Sequence, residues 1–288
     1  MSSLLRSAFT VAAGTYAAIC AVTYAAQRFI IYPAPAVLRN PTTVARRVNL
    51  PGGNRSGSFY LRYDNHHGGG KGKDIGKGIG KGTDRPIVVY FHGNGEQVGD
   101  LGALADTFSE MGLQTCMVEY PGYPGTTGSS SETHLLQAAE AALLDLIDSG
   151  VPAHNIILMG QSIGTGVAVA MAARGWGVKL VLISPYTSLV DVAKRLTKSV
   201  LPVKLLLKDQ FDSRALVSKV NIPTLIIHGL HDTLIPQSMG LELADTLQDV
   251  KFVSVPTGHN DIWSHPHVTE SIRRFLEASS PPRTPCGG

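Results

Sequence analysis

Seven short runs of apolar or alternating residues, at 58–63, 87–91, 115–119, 156–159, 179–183, 224–228 and 251–255, are separated by stretches with helical spacing at 98–111, 132–147, 163–174, 238–247 and 267–276. The runs are too short for helices. All but the first are apolar along both faces, as strands covered from above and below must be; the first alternates and reads as half-buried. Strands that alternate with helices rejoin one sheet through crossovers, so the pattern predicts an α/β domain, a mostly parallel central sheet with helices on both faces. Its span of roughly 250 residues is one that α/β folds reach undivided. With 43% hydrophobic residues and a formal net charge of only +3, a disordered polyelectrolyte is excluded.

The amino-terminal segment has a different character. Residues 8–26, AFTVAAGTYAAICAVTYAA, carry no charge and lie between Arg6 and Arg28. Nineteen residues are enough to cross a bilayer core as a helix, so 1–31 is expected to be a membrane anchor and 32–278 the α/β domain. Two cleaved forms compete with a retained anchor. The small residues around Tyr24-Ala25-Ala26 would suit a signal peptidase, and the run of arginines before Asp64, the first acid, would suit a mitochondrial presequence. Arg28, Arg39 and Arg46 beyond the span favour a cytosolic domain, whereas Asn54-Arg55-Ser56 could be glycosylated only in a secretory lumen.

Residues 65–84, NHHGGGKGKDIGKGIGKGTD, hold eight glycines and no apolar period, and are expected to be a flexible surface insertion. The Gly-Lys repeats invite comparison with a phosphate-binding loop, but the glycine that GxxxxGK[ST] requires upstream is missing before each lysine. Lys71, Lys73, Lys77, Lys81 and Arg85 face only Asp74 and Asp84 here, which accounts for the whole net charge of the chain. No broad basic face remains for nucleic acid. Cys20, Cys116 and Cys286 are too scattered for a disulfide framework or a metal knuckle, and residues 279–288 read as a disordered Pro/Gly tail.

The chemistry concentrates at Gly160-Gln161-Ser162-Ile163-Gly164, between the apolar run 156–159 and a helical stretch. A nucleophilic serine on a strand-to-helix turn needs a cramped backbone, and flanking glycines give the neighbouring chain room. The helix that starts beside Ser162 directs free N–H groups toward an oxyanion formed there. A serine hydroxyl needs a base, and the base needs a partner that fixes its tautomer. Asp232, four residues past the run 224–228, and His259, past the run 251–255, stand in the order serine, acid, histidine. Asp209, Asp212, Asp245, Asp249, His231, His265 and His267 are weaker candidates, being on helices, before strands or at helix starts. The backbone N–H of Ile163 and that of Asn94, in Phe91-His92-Gly93-Asn94-Gly95, are the expected oxyanion donors, with His92 bracing that loop. Such chemistry requires neither metal nor organic cofactor.

Taken with Arg28-Phe29-Ile30-Ile31-Tyr32-Pro33, the segments FHGNGE at 91–96, EYPGYPGTTGSSSE at 119–132, GQSIG at 160–164, SPYTSL at 184–189, HGLHD at 228–232 and GHND at 258–261 resemble those of α/β-hydrolases. The resemblance is to the membrane-anchored acyl hydrolases, among them lysophospholipase-like and protein depalmitoylase-like members. It implies an α/β-hydrolase fold with a short lid and an N-terminal transmembrane helix. The implied partners are a membrane and a lipid or an acylated small-molecule or protein substrate, cleaved at an ester or thioester. Pro121 and Pro124 stand where relatives more often carry Arg and Gly, and the Gly/Lys insertion has no counterpart. Between 184 and 221 the stretch 191–208 has five positive charges and one negative among apolar residues, and is expected either to lie on anionic lipid or to cover the core with a solvated basic face. A peptidase of the aminopeptidase type and a non-catalytic membrane scaffold are the competing functions.

Overall fold

The computed structural model describes the backbone of residues 3–37, 45–49, 57–63 and 85–278. The insertion 65–84, the tail 279–288 and the sequon at Asn54 lie outside the described residues. A long helix, α1 (Ser3–Ile31), precedes eight strands: β1 (Ala45–Asn49), β2 (Gly57–Tyr63), β3 (Ile87–Phe91), β4 (Gln114–Val118), β5 (Ile156–Gln161), β6 (Lys179–Ile183), β7 (Thr224–Gly229) and β8 (Val250–Val255). Between and after the last six strands lie α2 (Gly102–Glu110), α3 (Glu132–Asp148), α4 (Ile163–Ala173), α5 (Leu189–Leu196), α6 (Val203–Leu206), α7 (Ser213–Val217), α8 (Gln237–Ala244) and α9 (Pro266–Glu277).

The sheet order is β1-β2-β4-β3-β5-β6-β7-β8. From β4 to β8 the six strands are parallel, and β2 and β1 add an antiparallel edge. Alternation within β3 shows how the two layers form. Ile87, Val89 and Phe91 point into a core shared with α3, α4 and α8, while Val88 and Tyr90 point into a second core with α2 and α9. The strand order reverses at β3, so the loops after β3 and β5 diverge and leave a crevice at the carboxyl edge of the sheet.

Three local features differ from expectation. β1 was not anticipated, because Ala45-Arg46-Arg47-Val48-Asn49 lacks a strand-like apolar period, and its place is set by pairing Ala45 with Leu61 through Asn49 with Gly57. The helix expected over 98–111 opens instead as a 3-10 turn, Val98–Asp100, before α2. Gly99 and Gly102 weaken continuous helix there, and the Val98 N–H is taken by the Glu119 carboxylate at 2.9 Å. The basic stretch 191–208 is two short helices, α5 and α6. Lys198 (φ 49°) and Ser199 (φ 58°) end the first, and Pro202 leads into the second.

Two glycines decide whether α4 can sit beneath the sheet edge. A Cβ on Gly164 would lie 2.0 Å from the Phe91 carbonyl oxygen, and one on Gly160 would lie 2.4 Å from the Gly164 carbonyl oxygen. Both obstacles are backbone, which cannot swing aside. Ten of the eleven residues of α4 are buried and most are small, so the helix packs close along its whole length. We expect Gly164→Ala to cost roughly 1–3 kcal/mol or more in denaturant unfolding. Gly102→Ala, where nothing lies within 4 Å of the added Cβ, should be neutral or gain about 0.5–1 kcal/mol.

Candidate active site

Ser162 sits between β5 and α4 with φ 50° and ψ −120°, a conformation that costs a non-glycine residue of order 1–3 kcal/mol and persists only when its surroundings enforce it. The enforcement is visible on both sides. The Ser162 N–H donates to the Ile183 carbonyl at 2.9 Å, continuing the β5–β6 ladder, and the Thr165 N–H and hydroxyl both donate to the Ser162 carbonyl at 3.0 and 2.6 Å. The side chain of Gln161 accepts from the Tyr90 hydroxyl and from the Trp263 indole N–H, tying the serine turn to the loop that carries His259.

The three residues expected to act together meet at the carboxyl edge of the sheet. His259 Nε2 lies 3.0 Å from Ser162 Oγ, and His259 Nδ1 lies 2.7 Å from Asp232 Oδ2. The other oxygen of Asp232 accepts the N–H groups of Leu234 and Ile235 at 3.0 and 2.8 Å, so the carboxylate is fully buried yet well supplied with donors. Burial pushes the Asp232 carboxyl up, but the hydrogen bonds from His259 and Ile235 outweigh it, and the group stays ionised below the ordinary carboxylate range. His228, 3.7 Å from Asp232, donates from Nε2 to the Ile235 carbonyl at 2.8 Å. Its burial lowers its pKa, so it stands beside the carboxylate as a neutral neighbour. A Cβ on Gly229 would lie 2.5 Å from the Thr257 carbonyl, which is how closely the β7 and β8 ends approach to bring acid and histidine together.

Ile163 is the first residue of α4, and its N–H is among those with no intrahelical acceptor. Across from it, the turn after β3 approaches so closely that a Cβ on Gly93 would lie 3.7 Å from the Ser162 Cβ. The Gly93 N–H is engaged by the Glu96 carboxylate at 2.6 Å, and Asn94 lines the same cavity as Ser162 and His259. This cavity has a volume of about 660 Å³. Asn94, Glu96, Gln161, His259 and Asn260 line it with Ser162. The other walls come from α5, α6 and the C-terminal part of α1 and are mostly apolar, with Thr23, Gln27 and Thr197 among them.

Residues 82–213 match the model of a family described as serine aminopeptidase, S33. An uncharacterised protein of Mycobacterium tuberculosis is 32% identical over 234 residues, which cover 80% of this chain and 77% of that one. The human α/β hydrolase domain-containing protein 17B is 34% identical over 196 residues, covering 66% of this chain and 65% of that protein. Among solved structures, a Pyrococcus furiosus esterase superimposes with a TM-score of 0.64 at 15% identity, covering 85% of this chain and 96% of that one. The chain belongs to the α/β-hydrolase superfamily. Membership and fold together support hydrolytic activity.

In this α/β-hydrolase the weaker candidates occupy structural or peripheral positions. Asp212 caps α7 through the Ala215 N–H, His265 caps α9, and His231, Asp245 and Asp249 are exposed. Asp209 is buried but accepts from the Tyr32 hydroxyl at 2.9 Å. Cys116 is buried in the core.

His92 braces the loop after β3, as expected, through a partner the sequence reading did not name. Its Nε2 lies 2.8 Å from Glu119 Oε1 and its Nδ1 2.8 Å from the Gly93 carbonyl, and both side chains are fully buried. Two acceptors facing two ring nitrogens favour the imidazolium. Burial lowers the His92 pKa, the Glu119 carboxylate raises it, and the net shift is upward. The stability from such a raised group is fully present below the ordinary value of 6.5 and is lost as pH rises through the folded value. Melting temperatures of the wild type should therefore decline on the alkaline side. His92→Gln should destabilise by roughly 3–5 kcal/mol by stranding Glu119, and should flatten that decline.

Proposed function

We propose that this chain is a membrane-anchored serine hydrolase that cleaves ester or thioester bonds of lipid-like acyl substrates through an acyl-enzyme. The observation that carries this reading is the hydrogen-bonded series Ser162, His259, Asp232 at one end of a cavity whose other walls are mostly apolar. In the cycle His259 Nε2 removes the Ser162 proton as Oγ attacks the acyl carbonyl. Asp232 holds the imidazole in the required tautomer and stabilises the imidazolium, and the N–H groups of Ile163 and Asn94 receive the oxyanion. His259 gives the proton to the departing alcohol or thiol. Water, deprotonated by the same histidine, then releases the acyl group from Ser162 Oγ.

Anchoring rests on α1. It is 29 residues long, and its segment Leu5–Ile31 is apolar and long enough to cross a bilayer by length and composition. The description of the matching family favours aminopeptidase activity as a second reading. Such an enzyme needs an anionic group to receive the substrate ammonium. Among the described residues Glu96 is the only carboxylate lining the cavity, and it already accepts the Gly93 N–H. An apolar cavity without a further acid suits an acyl chain better.

Ser162→Ala should abolish labelling by a fluorophosphonate and lower kcat by roughly 10⁴–10⁶, with an unchanged melting curve. Asp232→Asn should lower kcat by about 10⁴. A panel of acyl thioester, monoacylglycerol, lysophospholipid and aminoacyl anilide substrates decides the class. Turnover of the anilide alone would favour the aminopeptidase, and a wild type that neither labels nor turns over any of them would leave a non-catalytic membrane scaffold.

A further inference from the structure

α1 is more than a tether, because one of its faces belongs to the catalytic domain. Tyr16, Cys20, Thr23, Gln27 and Ile31 recur at helical spacing on the side turned toward the segment 189–208, which contains α5 and α6 and forms the lid. The Tyr16 hydroxyl donates to the Val200 carbonyl at 2.9 Å. Gln27, the one buried residue of the helix between Leu5 and Ile31, donates to the Leu206 carbonyl at 3.1 Å and accepts the Lys208 N–H at 2.8 Å. Lys208 also places its ammonium 4.3 Å from the Tyr24 ring centroid. Held in this way, Thr23, Gln27, Ile30 and Ile31 close one side of the cavity above Ser162.

The length of α1 then fixes where that cavity lies relative to a membrane. At about 1.5 Å per residue, the 29 residues of α1 extend roughly 44 Å, so only about 14 Å can stand outside a hydrocarbon core of roughly 30 Å. The lid follows the helix from Ile31 back to Tyr16, a distance of about 23 Å at the same rise. A helix that spans therefore carries the lid tip about 9 Å into the leaflet, within the roughly 5–10 Å depth that interfacial helices reach. The composition of the tip fits that position. Val200, whose carbonyl meets Tyr16, is 66% exposed, and Arg195 and Lys198 lie in the same segment with side chains long enough to reach the headgroups.

We infer that the cavity is an acyl-chain site shared between anchor and catalytic domain, with α1 as its outer wall, and that a single extended acyl chain enters it from the leaflet between α1 and the lid. This rests on the serine-hydrolase reading above and adds to it the source of the substrate and the residues that measure its length. Thr23 and Ile30 meet the chain, and Gln27 holds the wall in place.

The experiment uses the full-length protein in anionic phospholipid vesicles, with p-nitrophenyl esters from butanoate to hexadecanoate. Each methylene buried against the wall should raise kcat/KM about fourfold until the cavity is filled. Thr23→Trp and Ile30→Trp should reduce the hexadecanoate-to-butanoate ratio of kcat/KM at least tenfold and move the optimum to shorter chains. Val22→Trp, on the face of α1 away from the cavity, should keep the wild-type profile. In the same vesicles Val200→Trp should be quenched by lipids brominated along the acyl chain, beyond the wild-type signal of Trp176 and Trp263. A chain-length profile unaltered by both wall substitutions, or a Val200→Trp variant that brominated lipid does not quench, overturns the inference while leaving the hydrolase reading in place. A wild type that hydrolyses none of the esters and resists fluorophosphonate labelling removes both.

Discussion

The contact on which the site depends is between two pieces of backbone. The first turn of α4 lies against the end of β3 so closely that Gly164 has no room for a methyl group beside the Phe91 carbonyl. That approach sets the N-terminus of α4 beside the loop containing Asn94, with Ser162 held at φ 50° in the turn between β5 and α4. The strain is local, of order 1–3 kcal/mol, and is held by the Ile183 carbonyl and the Thr165 hydroxyl. The other two residues of the candidate site, Asp232 and His259, reach this fixed point from beyond the ends of β7 and β8.

Two histidine–carboxylate pairs lie in this region, and their surroundings separate their uses. His92 and Glu119 are both fully buried, with every ring nitrogen facing an acceptor, so a proton on the ring stays within the buried pair. His259 is 11% exposed, and its second nitrogen faces a hydroxyl that can donate. His259 can therefore exchange a proton with the Ser162 hydroxyl, the step that the proposed acyl-enzyme cycle requires. The carboxylates differ in the same sense. Glu119 fixes the loop through the Val98 and Tyr120 N–H groups, whereas Asp232 uses one oxygen to anchor its own turn and keeps the other for the histidine.

Most of the architecture was legible in the sequence because it rests on short-range patterns. The six parallel strands announce themselves as apolar runs, and β3 and β6 have the expected limits. The three residues of the site were legible because their types and chain order are constrained by the chemistry, and each follows a strand. What could not be read depends on contacts between distant segments. β1 is a strand only because β2 pairs with it. Glu119 lacked any signal beyond its place at a strand end, and Gln161 is visible as a link only once Tyr90 and Trp263 are adjacent to it. Gln27 did carry a signal, being a lone amide at the end of an apolar helix.

That amide also explains how the helix and the lid remain together. A glutamine side chain taken out of water loses several kcal/mol unless its amide is satisfied. Here both ends of it are, by the Tyr24 and Leu206 carbonyls and by the Lys208 N–H. In an apolar medium the alternative for each partner is an unsatisfied group, so the clasp is stronger in a membrane interface than in water. Apolar packing alone would lose its driving force there, because acyl chains solvate a leucine as well as another leucine does. A polar clasp therefore suits the wall proposed above, which would have to stay closed against lipid while an acyl chain moved along it.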